Sequence, residues 1–117
     1  MNFDTVRKEY VTQGLTESDL DPNPLTQLQR WYEEAVAANV IEPNAMTLAT
    51  ATRDGIPSAR TILLKGFDER GFTFYTNYES QKGKELAENP YAALVFYWAT
   101  FERQIRITGV IDKILSE

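Results

Sequence analysis

The chain has 117 residues, a length typical of one domain, and its 12 basic and 17 acidic side chains give a formal net charge of −5. It contains no cysteine and no histidine, which excludes disulfides, thiol nucleophiles, zinc–thiolate centres and the usual imidazole base. Any redox chemistry therefore requires a bound cofactor, and the acidic balance argues against a general nucleic-acid binder.

The first 40 residues are predicted to form an acidic, helical lead-in. Asp4 is a suitable cap for a short helix over residues 5–13, and Asn23 followed by Pro24 is a typical helix start. A second helix is predicted over residues 24–38, because apolar side chains recur there at helical spacing. The residues of this apolar face are Leu25, Leu28, Tyr32, Ala35 and Val36.

From residue 45 onward, short apolar runs and alternating patterns predict a sheet. The strands are predicted over residues 46–52, 58–67, 72–77, 91–98 and 103–115, with one helix over 80–89. Glycine-containing turns at 53–55 and 68–71 join the first three strands as hairpins. Five antiparallel strands with N-terminal helices and one inserted helix predict a mainly β fold with some α, a small barrel.

Two cations, Arg60 and Lys65, bracket the apolar centre of the second predicted strand. An arginine fork and a lysine ammonium both suit a phosphate, but buried strands with charged ends are common. Residues five apart also point to opposite faces of a regular strand. A shared ligand would require a bulge, a twist, a sheet edge or a subunit boundary, so a phosphate site and an ordinary strand both remain open.

The start of the helix predicted over 80–89 is a second candidate for anion binding. Tyr75 and Thr76 end a strand, Ser80 is placed to cap the helix, and Lys82 and Lys84 add positive charge. Free N–H groups at a helix start favour an anion. A capped surface helix with solvated lysines is the alternative interpretation.

In the last predicted strand, Gln104 and Arg106 share one face, and Ile105 and Ile107 share the other. The Gln104 amide carries a donor and an acceptor side by side, which suits the polar edge of a planar heterocycle. An exposed strand face without a ligand explains the same pattern.

Taken in order, these segments resemble the pyridoxine (pyridoxamine) 5′-phosphate oxidase family. The matching stretches are Arg7-Lys8-Glu9-Tyr10, Asp21-Pro22-Asn23-Pro24, Arg60-Thr61-Ile62-Leu63-Leu64-Lys65, Gly71-Phe72-Thr73-Phe74-Tyr75-Thr76-Asn77, Ser80-Gln81-Lys82, Asn89-Pro90 and Trp98-Ala99-Thr100-Phe101-Glu102-Arg103-Gln104. The resemblance implies an FMN-binding split β-barrel that forms a homodimer with FMN at the subunit interface. It also implies oxidation of pyridoxine or pyridoxamine 5′-phosphate to pyridoxal 5′-phosphate, with oxygen as the acceptor.

The resemblance further implies which residues form the site. FMN would contact Arg60, Thr61, Ile62, Leu63, Leu64, Lys65, Tyr75, Thr76, Gln81, Lys82 and Gln104. The substrate would contact Arg7, Lys8, Glu9, Tyr10 and Lys65, with the N-terminal segment acting as a cover. Gln81 stands where the family usually has arginine, so one positive charge near the FMN phosphate is missing. No metal ligand and no catalytic residue is assigned.

The family continues for nearly as long again beyond residue 117. We therefore expect one truncated barrel domain over 1–117, with a helical lead-in over 1–40 and barrel strands over 45–117, either as a fragment or as a short relative. Because the substrate-gripping part of the family is absent, a non-catalytic FMN-binding module is the alternative function. A domain that binds no flavin and a nucleic-acid-binding barrel are the remaining alternatives.

The longest uninterrupted apolar run, at residues 91–99, is far shorter than the roughly 20 residues of a membrane-spanning helix. The chain also begins without the basic and apolar segments of a secretory signal. We therefore expect a cytoplasmic protein that binds neither membranes nor nucleic acid.

Overall fold

A computed structural model describes residues 17–75 and 80–112. The helices and strands are α1 (Pro24–Ala37), β1 (Ala45–Ala51), β2 (Pro57–Asp68), β3 (Gly71–Phe74), α2 (Gln81–Glu88), β4 (Tyr91–Trp98) and β5 (Arg103–Val110). Two short 3-10 turns, at Glu17–Asp19 and Ala99–Phe101, precede α1 and join β4 to β5. The helix predicted over 5–13 lies outside the described residues.

The five strands form one antiparallel sheet in the order β3-β2-β1-β4-β5. β1 is the central strand, flanked by its hairpin partner β2 and by β4. The sheet curls into a half-barrel whose edges, within the described residues, are β3 and β5. Helix α2 carries the chain from the β3 edge back to β4 and packs against β1.

Helix α1 begins where the sequence predicts. The Asn23 side chain caps it by accepting a hydrogen bond from the Leu25 N–H at 2.9 Å, and Pro24 occupies the first helical position. Leu28 and Ala35, which are seven residues apart and so lie on one side of the helix, are buried against the sheet.

The buried face of α1 differs from the predicted one at Val36, which is 52% exposed. Gln27 is buried instead, and its Oε1 accepts a hydrogen bond from the Asp21 N–H at 2.6 Å. Val36 and Gln27 lie about 100° to either side of the line through Leu28 and Ala35. The buried face thus includes the Gln27 side of the helix, where the chain entering α1 supplies the amide oxygen with a hydrogen-bond donor.

The core lies between α1 and the concave side of the sheet. Its fully buried apolar members are Leu28, Ala35, Met46, Leu48, Leu64, Leu94, Phe96 and Trp98. The Trp98 ring contacts Phe96 and Tyr32, and its indole N–H donates to the Pro43 carbonyl at 3.0 Å. This hydrogen bond satisfies the one polar atom of a side chain that is 2% exposed.

The predicted strand over 103–115 is too long, since β5 ends at Val110. Val110 pairs with Tyr91, the first residue of β4, so β5 has no further strand partner beyond that point. After the strand ends, the Ile111 N–H donates to the Pro90 carbonyl at 2.9 Å. Residues 113–115 lie outside the described residues, as do positions 76 and 77 of the strand predicted over 72–77. Among the described residues, no helix is long and apolar enough to cross a membrane.

Candidate functional site

Strand β2 divides its predicted ligand-binding residues between two faces. Exposure alternates residue by residue from Pro57 to Lys65. The buried side carries Arg60, Ile62 and Leu64, and the exposed side carries Thr61, Leu63 and Lys65. The side chains of Ile62 and Leu64 pack in the core, so only their backbone groups remain for a ligand.

A bulge is present in β2, but it does not bring the two cations together. The pairing with β3 shifts between Leu64 and Gly66, so that Lys65 is the extra residue. Lys65 nevertheless stays exposed, and its ammonium lies 5.7 Å from the centre of the Tyr75 ring. Within one copy of the chain, Arg60 and Lys65 therefore remain on opposite faces of the sheet.

The Arg60 guanidinium is held from inside the fold. Its Nη1 donates to the Leu48 carbonyl at 3.1 Å and to the Thr50 hydroxyl at 2.7 Å, and its Nη2 donates to the Glu85 carboxylate at 3.3 Å. The side chain is 23% exposed. These contacts use three of the five N–H donors of an arginine, and the other two have no partner among the described residues.

Glu85, on α2, is the centre of this arrangement. Its carboxylate is nearly buried and accepts hydrogen bonds from Thr50, from Ser58 at 2.9 Å and from Gln81 at 3.2 Å, besides pairing with Arg60. The hydrogen bond from Thr50 contributes most to holding the pKa of the Glu85 carboxyl below its ordinary value, while burial opposes the shift. Glu85 is therefore a charged, fully partnered group at neutral pH.

Sequence reasoning missed Glu85, Thr50 and Ser58, although a signal was present. Thr50 and Ser58 are cross-strand partners, and Arg60 follows two residues after Ser58, so all three share the buried side of the β1–β2 hairpin. Polar side chains on a buried face require a polar partner. Glu85, four residues after Gln81 and one turn further along the same helix, is that partner.

The start of α2 adjoins the same residues. Ser80 caps the helix by accepting a hydrogen bond from the Gly83 N–H at 3.2 Å. The Gln81 amide donates to Ser58 and to Glu85, both at 3.2 Å, and Lys82 follows it, half-buried. Arg60 and Gln81 thus both contact Glu85, and Lys82 is the next residue along α2. Thr76 lies outside the described residues.

The exposed face of the sheet carries the other predicted residues. Cross-strand pairs run in a row from Thr61 through Thr47 and Val95 to Arg106. Because neighbouring strands are about 4.8 Å apart, this row spans roughly 14 Å. We use the term "exposed sheet face" for Thr47, Thr61, Leu63, Lys65, Val95, Tyr97, Gln104 and Arg106.

Gln104 lies on this face as predicted, opposite Tyr97, and both side chains are exposed. Their neighbours Ile105 and Phe96 point to the core. The face offers an amide, two cations and apolar contacts to a planar ligand. The predicted substrate contacts in the N-terminal segment, Arg7, Lys8, Glu9 and Tyr10, lie outside the described residues.

Comparison with known proteins gives a consistent match. A sequence model of the family described as pyridoxamine 5′-phosphate oxidase matches residues 32–117. A curated protein of Nostoc sp. named pyridoxine/pyridoxamine 5′-phosphate oxidase is 61% identical over 109 residues, which cover 93% of this chain and 51% of that protein. One of the same name from Cupriavidus necator is 57% identical over 112 residues, covering 96% and 53%. The chain spans about half the length of the curated relatives it matches.

Two solved structures have similar folds. PhzG from Burkholderia lata, in complex with tetrahydrophenazine-1-carboxylic acid, superimposes with a TM-score of 0.78 at 40% identity, over 85% of this chain and 50% of that chain. A pyridoxamine 5′-phosphate oxidase-related, FMN binding protein from Nostoc punctiforme gives a TM-score of 0.65 at 22% identity, over 78% and 47%. The predicted split-barrel fold is confirmed by the half-barrel sheet and these likenesses.

Proposed function

Because the chain belongs to the pyridoxamine 5′-phosphate oxidase family, we propose that it is part of an FMN-dependent oxidase of phosphorylated B6 vitamers. The proposed reaction converts pyridoxine or pyridoxamine 5′-phosphate to pyridoxal 5′-phosphate, with oxygen as the final electron acceptor. Bound FMN would supply the hydride-accepting chemistry, which amino-acid side chains do not provide.

The observation that carries this proposal is that hydrogen bonds fix the orientation of the Arg60 guanidinium close to the start of α2. Two of its N–H donors have no partner among the described residues, and Lys82 lies in the first turn of the helix. A preoriented guanidinium, a lysine and a helix N-terminus together favour a phosphate. We therefore assign the FMN phosphate to this end of the sheet, at Arg60, Gln81 and Lys82, with Thr76 as a further contact.

The exposed sheet face fits the ring of the same cofactor. The Gln104 amide is exposed and suits the polar edge of a flavin, and Leu63, which is 53% exposed, offers apolar contact. Since Arg60 and Lys65 lie on opposite faces of one copy, a single FMN that meets both cations has to pass a sheet edge or a boundary between copies, and we place it at the boundary, as the family resemblance implies. The proposal therefore includes a homodimer with FMN between its subunits.

Lys65 is also proposed to contact the substrate. The Lys65 side chain is exposed and its ammonium lies over the Tyr75 ring, so the charge is accessible to a second phosphate. Through the family resemblance, residues 7–10 are proposed to close over the substrate. In this arrangement the chain orients two phosphorylated molecules and shields them from water, while the electron chemistry resides in the cofactor.

The proposal is tested by titrating the protein with FMN and following the quenching of flavin fluorescence. We expect a dissociation constant on the order of micromolar. Anaerobic addition of pyridoxine 5′-phosphate should then bleach the flavin, and admission of oxygen should restore the colour with release of hydrogen peroxide. Unphosphorylated pyridoxine is the matched control and should bleach far less. Absence of FMN binding would overturn the proposal for this chain.

A non-catalytic FMN-binding module is the second candidate function. It is favoured by the similarity to PhzG, whose structure contains tetrahydrophenazine-1-carboxylic acid rather than a B6 vitamer, so a related chain binds a different molecule. This candidate predicts micromolar FMN binding and no bleaching by pyridoxine 5′-phosphate, so the same titration separates the two functions.

A further inference from the structure

Glu85 is the one charged side chain that is buried among the described residues, with 4% of its surface exposed. Burial of a carboxylate is costly unless it is paired and hydrogen-bonded. The fold meets this cost with four donors, and no part of the function proposed above uses the group. We call Glu85 with Thr50, Ser58, Arg60 and Gln81 the Glu85 network.

The network connects three elements through the two carboxylate oxygens. Oε1 accepts from Ser58 of β2 at 2.9 Å and from Gln81 of α2 at 3.2 Å. Oε2 accepts from Thr50 of β1 and from the Nη2 of Arg60 at 3.3 Å. The carboxylate thus fixes where the first turn of α2 lies relative to the β1–β2 hairpin.

The same contacts fix the orientation of the guanidinium. A planar guanidinium held at Nη1 by Leu48 and Thr50, and at Nη2 by Glu85, retains little freedom to rotate. Its two remaining donors then keep one direction before any ligand arrives. Binding of a phosphate to such a group loses less side-chain entropy than binding to a free arginine.

We propose that Glu85 is a positioning residue, whose buried carboxylate orients Arg60 and the start of α2 and thereby sets the preference of the protein for FMN over riboflavin, the same flavin without its phosphate. This inference rests on the proposed function, because it requires that the phosphate bind at this end of the sheet. Glu85 itself acts through Arg60 and need not contact the ligand.

Glu85 could affect phosphate binding in two opposite ways, which change the preference for FMN over riboflavin in opposite directions. If its negative charge mainly repelled a nearby phosphate, removing the charge would increase the preference for FMN. If orientation of Arg60 dominates, removing the charge releases the guanidinium and decreases the preference. We expect the second result, since the charge is already compensated by Arg60 and three neutral donors.

The test compares the dissociation constants of FMN and riboflavin in the full 117-residue protein, at one salt concentration. In Glu85→Gln, the ratio of the riboflavin constant to the FMN constant should fall roughly tenfold, the size expected for loss of one prepositioned, charge-assisted contact. Glu88→Gln is the matched control, because it removes the same charge from an exposed position on the same helix. There the ratio should not change.

A double variant tests whether Glu85 acts through Arg60. Arg60→Gln alone should lower the ratio, and Arg60→Gln with Glu85→Gln should lower it no further. An additive fall would overturn the inference. If Glu85→Gln lowers the melting temperature but leaves the ratio unchanged, the role of Glu85 is purely structural. If the ratio rises, Glu85 mainly repels the phosphate. Either result also overturns the inference.

A milder variant covers the case in which Glu85→Gln does not fold, as judged by circular dichroism. Ser58→Ala removes one of the four donors to the carboxylate and should lower the ratio by a smaller factor. If the unmodified protein binds no FMN, the proposed function fails and this inference falls with it. If it binds FMN but none of these variants changes the ratio, the inference alone is wrong.

Discussion

Replacement of Thr50 by valine tests whether the Glu85 network stabilises the fold. Thr50 is 4% exposed and its hydroxyl has two roles, donating to the Glu85 carboxylate and accepting from Arg60 Nη1 at 2.7 Å. Valine has nearly the same shape, so Thr50→Val opens no cavity and replaces the hydroxyl by a methyl group that cannot hydrogen-bond. Both charged groups keep other partners, because Arg60 also contacts Leu48 and Glu85 also contacts Ser58.

The expected loss follows from these two hydrogen bonds. A hydrogen bond to a charged group contributes about 1.5–3 kcal/mol. Because the two bonds share one hydroxyl and are not additive, we expect a decrease in the free energy of unfolding of about 3 kcal/mol. For a chain of this length, that corresponds to a decrease in melting temperature of roughly 12 °C.

The assay is urea unfolding monitored by circular dichroism at neutral pH, with Thr47→Val as the control. Thr47 lies on the same strand, but its side chain points to the exposed face. The control removes an identical hydroxyl, and we expect a change within about 0.5 kcal/mol. If Thr50→Val were as stable as Thr47→Val, or more stable than the unmodified protein, the network would contribute no net stability, and the ion pair would behave as one whose desolvation outweighs its attraction.

Four further predictions concern pH and ligand binding. The pKa of Glu85 is lowered in the folded state, so its contribution to stability is present above the ordinary pKa of 4.5 and is lost as the pH falls through the lower folded pKa. Urea unfolding between pH 7 and pH 3 should therefore show that the free energy of unfolding decreases less in Glu85→Gln than in the unmodified protein. Lys65→Ala should weaken FMN binding roughly tenfold in fluorescence titrations, whereas Arg53→Ala, which removes an exposed cation from the β1–β2 turn, should not; an equal effect of the two would refute the assignment of Lys65. Gln104→Ala should weaken FMN binding while leaving the melting temperature within about 2 °C, because the side chain is exposed. Gln81→Arg should tighten FMN binding, with a gain that shrinks as salt rises; a gain independent of salt would contradict a phosphate at the start of α2.

The elements that sequence predicts best are those whose ends depend on neighbouring residues. The bounds predicted for β4 are the observed ones: Pro90 precedes the strand, and a 3-10 turn at Ala99–Phe101, followed by Glu102 in left-handed conformation, comes directly after it. The cap at Asn23 is equally local. By contrast, the end of β5 depends on where β4 begins, because Val110 pairs with Tyr91. These two residues are far apart in the sequence, so no local pattern indicates where β5 ends.

The same distinction between local and long-range information applies to the residues of the candidate site. The alternation that placed Gln104 on an exposed face needed only the period of a strand. The partners of Arg60 could not be found in this manner, because Thr50, Ser58 and Glu85 come from three elements that meet only in the folded chain. A charged residue on a buried strand face implies a polar or oppositely charged partner, but the sequence does not indicate which residue that is.

The geometry of β2 also explains why a phosphate site on one face of the sheet cannot use both of its cations. Arg60 must lie on the concave side to reach Glu85, and five residues of alternation then direct Lys65 to the exposed side. A bulge before Lys65 could have reversed this relation, but the observed one includes Lys65 itself and leaves it exposed. The concave side is filled by the core, so a ligand can approach Lys65 only from outside. A site that joins the two cations therefore has to pass round a sheet edge or across a boundary between copies, and the proposed function adopts the boundary between copies.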